Sequence, residues 1–138
     1  MVLESRAQTG QLGEDLAVAH MEDLGHHVLE RNWRWRRFEI DVISDQGGQL
    51  VFHEVKSRAG CDVALERPDL PSLGQRRRIV QAAQAYLLRE GRRGRECRFD
   101  VWWVTFRDGR SPHVTHLPNA FDGVAKPPRK RNPWRALR

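Results

Sequence analysis

Phe38-Glu39-Ile40-Asp41-Val42-Ile43-Ser44-Asp45-Gln46-Gly47-Gly48-Gln49-Leu50-Val51-Phe52-His53-Glu54-Val55-Lys56-Ser57 is two apolar, β-branched runs joined by Asp-Gln-Gly-Gly. That is the pattern of a β-hairpin. Period-two alternation assigns Glu39 and Asp41 to one face of the first strand and Phe38, Ile40 and Val42 to the other. On the second strand, Leu50, Phe52, Glu54 and Lys56 share a face, with Val51, His53 and Val55 opposite. A loop with an even number of residues, such as Gln46 to Gln49, sets Asp41 directly across from Glu54, both carboxylates on one side. Facing like charges are destabilising, and a divalent cation with oxygen ligands offsets the repulsion more fully than Lys56 can. Such a site suits phosphodiester hydrolysis: carboxylates hold Mg²⁺ or Mn²⁺, and a lysine orients the attacking water or stabilises developing charge. The same residues also fit a solvated ion-pair lattice, worth about 0–1 kcal/mol per pair.

Outward from the hairpin, Gln11 to Leu24 places Leu12, Leu16, His20 and Leu24 at helical spacing, with Thr9 as N-cap and Gly25 as the C-terminal stop. His27 to Trp33 reads as a strand, 59–71 as a loop, and Leu73 to Leu88 as a second helix capped by Ser72. Arg98 to Phe106 and His113 to Leu117 complete the strands. Helix, three strands, helix, two strands is an α/β order, with a mixed sheet flanked by helices. At 138 residues, with 39% hydrophobic content, the chain has one domain's worth of core and is not disordered throughout. We expect the domain over 1–122 and a basic, proline-containing tail over 123–138.

The net charge of +6 resides entirely in that tail, because residues 1–125 balance 18 basic against 18 acidic side chains. Lys126, Arg129, Lys130 and Arg131 are candidate polyanion contacts, as is Arg31-Asn32-Trp33-Arg34-Trp35-Arg36-Arg37, which interleaves guanidinium groups with indoles. Trp33 and Trp35 equally fit one packed strand face. Arg76-Arg77-Arg78 opens the second helix as either a phosphate-binding corner or solvated surface. Lys56 is the only lysine before the tail, which asks whether its position needs a compact amine. Cys61 and Cys97 read as free thiols, and His113 and His116, three apart on a strand, do not form a zinc site. No apolar stretch approaches the roughly 18–20 residues of a bilayer span, and Met1 to Arg6 lacks a signal core, so we expect a cytoplasmic protein with no membrane partner.

Gly13-Glu14-Asp15-Leu16-Ala17, Asn32-Trp33-Arg34, Glu39 to Ile43, Val51 to Arg58, Ala82 to Leu87 and Arg98-Phe99-Asp100-Val101 resemble, in this order, the YraN-like family of small bacterial proteins. That family is placed among the restriction-endonuclease-like PD-(D/E)xK nucleases and is similar to archaeal Holliday junction resolvases. The resemblance implies a restriction-endonuclease-like fold around a central mixed five-stranded sheet. Asp41 and Glu54 would be ligands for Mg²⁺ or Mn²⁺, Lys56 the catalytic lysine and Glu14 an additional acid near the metal. Glu39 reads as solvent-facing. The sequence departs from the family at Phe38, usually glycine, at His53, often apolar, and at Gln75, commonly lysine. The first two should alter packing on the face away from the carboxylates. The expected activity is metal-dependent endonucleolysis of nucleic acid, DNA rather than RNA, with branched or structured DNA as the candidate substrate. A homodimer is compatible with cutting two strands. The alternatives are a non-catalytic nucleic-acid-binding module on the same fold and a protein-interaction adaptor.

Overall fold

A computed structural model describes residues 5–59 and 70–123. The elements are α1 (Arg6–Asp23), β1 (His27–Trp35), β2 (Phe38–Gln46), β3 (Gln49–Ala59), α2 (Leu73–Arg89), β4 (Cys97–Phe106) and β5 (His113–Leu117). They form an α/β structure whose single five-stranded sheet runs β1-β2-β3-β4-β5. All neighbours are antiparallel except β3 and β4, which are parallel and joined by the crossover that carries α2. No helix among the described residues is long and apolar enough to cross a membrane. Cys61, the greater part of the 59–71 loop and the tail residues Lys126, Arg129, Lys130 and Arg131 lie outside the described residues.

Each helix buries one face of the sheet. Ile79, Val80, Ala82, Ala83 and Tyr86 of α2 pack on Ile40, Ile43, Leu50, Phe52 and Phe99. Ala17, Val18 and Met21 of α1 pack on Val42, Trp102 and Val104 on the other side. The hairpin turn is Gly47-Gly48, with φ of +58° and +90° and Gln46 paired to Gln49. Two successive positive φ values match the twist of the flanking strands and suit glycine. The even loop expected from the sequence therefore holds.

Two expectations change. The first helix starts at Arg6 rather than 11, and its N-cap is Ser5, whose Oγ accepts the Gln8 amide at 3.1 Å. Thr9 instead donates its hydroxyl to the Ser5 carbonyl at 3.1 Å, one turn inside the helix. The helix does stop at Gly25, φ +89°.

The second change concerns the faces of β2. Ile40 belongs to the α2 side and Val42 to the α1 side, although alternation assigns them together. On β1 the same step separates Trp33, packed on the α2 side, from Arg31, which reaches acids on α1. Between the pairs Arg31↔Val42 and Trp33↔Ile40 lie Asn32 and Asp41, and Asn32 has φ +51°. A left-handed residue inside a strand breaks the pleat, so side chains two apart no longer share a face.

Candidate active site

The chemistry collects where the sheet forks. β2 and β3 pair from Gln46↔Gln49 to Val42↔His53, after which β2 continues beside β1 and β3 beside β4. Asp41 and Glu54 are the first residues past the last pair. The Val55 amide, left without a strand partner on this side, donates to Asp41 Oδ2 at 2.8 Å. A carboxylate thus takes the place of a ladder carbonyl, which holds Asp41 at the fork.

Asp41 and Glu54 line a cleft of about 260 Å³ together with Arg37, Phe38, Glu39, Gln75, Arg78 and Ile79. The two carboxyls face one another across the fork, so keeping both ionised is unfavourable. Burial pushes the Asp41 carboxyl well above the usual carboxylate range, and the charge of Glu54 adds to it, with smaller contributions from Glu14 and Glu39. Burial also raises Glu54, opposed by the charge of the Lys56 ammonium. Lys56 follows Glu54 on the same side of β3, beside Trp103 of β4, and does not border the cleft.

Glu14 lies behind this pair. Gly13 lets α1 approach β3 closely, since a Cβ there would collide with the Ser57 side chain. The Glu14 residue is only 7% exposed. Its Oε1 accepts Arg31 Nε at 3.0 Å and Asn32 Nδ2 at 3.1 Å.

The arginine-rich segment divides by function. Arg31 is bound to Glu14 and, at 2.6 Å, to Asp15. Trp33 stands edge-on to Tyr86 in the α2-side core. Trp35 stacks on Phe38 and has the Arg36 guanidinium 4.6 Å from its ring centroid, so its ring is engaged by neighbours of its own hairpin. Arg34 makes a long, exposed contact with Glu39 at 3.4 Å. Arg37 is the member of the run that borders the carboxylates. In the second cluster, Arg76 donates to the Pro71 carbonyl at 2.8 Å, Arg77 is exposed, and Arg78 faces the cleft. Among the described residues, neither Arg37 nor Arg78 has an acidic partner. Gln75 borders the cleft too while closing the capping box with Ser72. Phe38 was expected on the face away from the carboxylates and instead helps wall their cleft, a result of the face switch at Asp41.

Residues 13–104 match the profile described as "Uncharacterised protein family UPF0102". The chain belongs to this family. It is similar to the UPF0102 protein of Anaeromyxobacter dehalogenans, 42% identical over 125 residues, covering 90% of this chain and 91% of that protein. The UPF0102 protein of Nitratidesulfovibrio vulgaris is 38% identical over 121 residues, 88% and 89% of the two chains. That of Geobacter sulfurreducens is 37% identical over 113 residues, 82% and 88%. The matched span contains Glu14, Asp41, Glu54 and Lys56 and ends within β4.

This UPF0102 chain also buries a polar cluster on the α1 side that the sequence reading missed. Asp100 accepts Arg98 Nε and Nη2 at 2.8 and 2.9 Å, His116 Nε2 at 2.8 Å and the Asn119 amide at 3.0 Å. Despite burial, these donors hold its carboxyl well below the usual range. Trp102, stacked on His116, donates its indole N–H to His53 Nδ1 at 2.9 Å. The His53 proton therefore sits on Nε2, 2.8 Å from Ser44 Oγ, which is also 2.8 Å from His26 Nδ1. Burial lowers the His53 pKa to about 3, keeping the ring neutral. The signal for this cluster was Arg98-x-Asp100 within an otherwise apolar strand, two charges that such a strand buries only as partners.

Proposed function

We propose that this protein is a Mg²⁺- or Mn²⁺-dependent endonuclease with a restriction-endonuclease-like fold, acting on DNA, with branched or structured DNA as its substrate class. The observation that carries this reading is the pair of half-buried carboxyls at the sheet fork, facing a cleft bordered by two arginines without acidic partners among the described residues. An acid pair for which double ionisation is unfavourable fits a divalent cation, which offsets the same repulsion. Its oxygens are the hard donors Mg²⁺ prefers, and that ion commonly uses one or two carboxylates, completing its shell with water and phosphate. Among the described residues no group of three or more His, Cys, Asp or Glu side chains is disposed around one point.

Asp41 and Glu54 would hold the ion, which when bound supplies Lewis acidity at a phosphoryl oxygen. Arg37 from the β1–β2 hairpin tip and Arg78 from α2 hold the flanking phosphates. Phe38 and Ile79 restrict water around the scissile group. Lys56, the catalytic lysine of this reading, stands outside the cleft wall and acts through its charge, favouring the ionised form of Glu54. A junction calls for two nicks, so a homodimer with two such sites is the form expected to act on it.

The test is a cleavage panel over duplex, flap, junction and single-stranded DNA and RNA with each metal, comparing the wild type with Lys56→Ala and Asp41→Asn. Cleavage of DNA by the wild type, lost in both variants while circular dichroism is unchanged, is the expected result. No cleavage of any substrate, with salt-sensitive binding that persists in EDTA and ignores Asp41→Asn, would replace the enzyme with a non-catalytic binding module.

A further inference from the structure

Asn32 and Arg31 occupy the step of β1 beside Asp41 where the face changes, and both side chains turn to one oxygen of one acid. Arg31 Nε and Asn32 Nδ2 lie 3.0 and 3.1 Å from Glu14 Oε1, while among the described residues no donor reaches Oε2. The Arg31 guanidinium is fixed at its other end by Asp15 at 2.6 Å. Two donors on a single oxygen of a nearly buried carboxylate set the plane of the carboxyl as well as its location, leaving the second oxygen as the open acceptor. The backbone is arranged for this. Asn32 stands opposite Asp41 with φ +51°, a conformation asparagine tolerates better than most residues. An extended residue there would keep the pleat and send Arg31 and Trp33 to the same face, away from α1.

We infer that Asn32 and Arg31 are positioning residues for Glu14, presenting its Oε2 toward the Asp41–Glu54 pair. Asn32 stands across from Asp41 in the β1–β2 register and holds Glu14 Oε1 at 3.1 Å, which brings the Glu14 carboxyl to this end of the fork. Arg31 is thereby assigned to holding Glu14 rather than to a phosphate. The role rests on the metal-site reading above. It explains why a strand interior holds a left-handed residue, and it places a third carboxylate oxygen at the edge of a site otherwise built from two.

The decisive substitution is Asn32→Gly, which keeps access to positive φ and removes the amide. Mn²⁺ binding is read by calorimetry, with a phosphorothioate oligonucleotide present, in wild type, Asn32→Gly, Glu14→Gln and the double variant, alongside thermal unfolding of each. Loss of a partner that orients a metal-binding group typically costs 10–100-fold in affinity. Asn32→Gly is expected to weaken Mn²⁺ binding by about tenfold, and to do nothing further in the Glu14→Gln background, because it acts through Glu14. A merely structural role would lower the unfolding midpoint and persist in that background. Wild-type uptake of Mn²⁺ with an unchanged constant in Asn32→Gly would overturn this assignment alone. Absence of uptake by the wild type would overturn the metal reading and this role with it.

Discussion

Asp100 is buried and Asp41 half-buried on strands of one sheet, and their surroundings act on them in opposite ways. Arg98, His116 and the Asn119 amide converge on Asp100 and stabilise its charge. Asp41 receives one amide, from Val55, and faces a second carboxyl. Burial penalises both charges, so the number and sign of the neighbours decide the outcome. On the α1 side the chain satisfies its buried acid and gains a pin between β4, β5 and the segment after β5. On the α2 side it leaves two acids short of partners, and a site under such strain has capacity for a ligand.

The largest expected effect tests the satisfied side. Asp100→Ala leaves Arg98 without its counter-charge and His116 and the Asn119 amide without their acceptor, and breaking a buried pair in this way costs about 3–5 kcal/mol. For a domain of this size that is a fall in the thermal midpoint of roughly 10–20 °C, measurable by calorimetry. A fall of only a degree or two would mean that the cluster does not hold the fold, and the contrast between the two sides would fail.

Next comes the strained side. Asp41→Asn should leave the protein folded and reduce cleavage by at least about a hundredfold, the scale of losing one group that stabilises transition-state charge. Measured together, Asp100→Ala and Asp41→Asn should separate cleanly: one destabilises, the other inactivates.

The pH dependence of stability gives an intermediate effect of opposite sign on the two sides. The folded protein holds protons on Asp41 and Glu54 more tightly than the unfolded chain does. The stabilisation from those protons is full at low pH and is lost as pH rises from the ordinary carboxylate range through the raised one. Asp100 behaves inversely: its contribution is present above the ordinary range and is lost as pH falls toward its depressed value. Each pKa unit of difference corresponds to about 1.4 kcal/mol. Urea unfolding of the metal-free protein from pH 4 to 9 should show the alkaline decline flattened in Asp41→Asn and retained in wild type.

Part of this contrast was legible in the sequence. The glycine pair and the even loop bring Asp41 and Glu54 side by side through the register alone, and Ser72 with Gln75 marks the start of α2. The face of Asp41 was not legible, because alternation presumes an unbroken pleat and Asn32 breaks it from the neighbouring strand. Thr9 resembles a cap, but Ser5 lies one turn earlier and takes the role. The Asp100 cluster was hidden for a different reason: its partners come from β3, β5 and the residues beyond, and only the fold brings them together.

The smallest expected effect separates the arginines themselves. Arg98 commits two nitrogens to Asp100, whereas Arg37 and Arg78 border the cleft without an acidic partner among the described residues. A guanidinium already neutralised inside the protein releases no counterion when DNA binds, and one that meets a phosphate releases about 0.9. In EDTA, where cleavage cannot interfere, Arg37→Gln and Arg78→Gln should each lower the slope of log affinity against log salt by about 0.9. Their unfolding free energies should stay within about 0.5 kcal/mol of wild type. Arg98→Gln should do the reverse, destabilising the fold and leaving the slope alone. An equal slope change in all three variants would reduce the cleft arginines to a general positive field, and the fork would lose its claim to be where the polyanion is held.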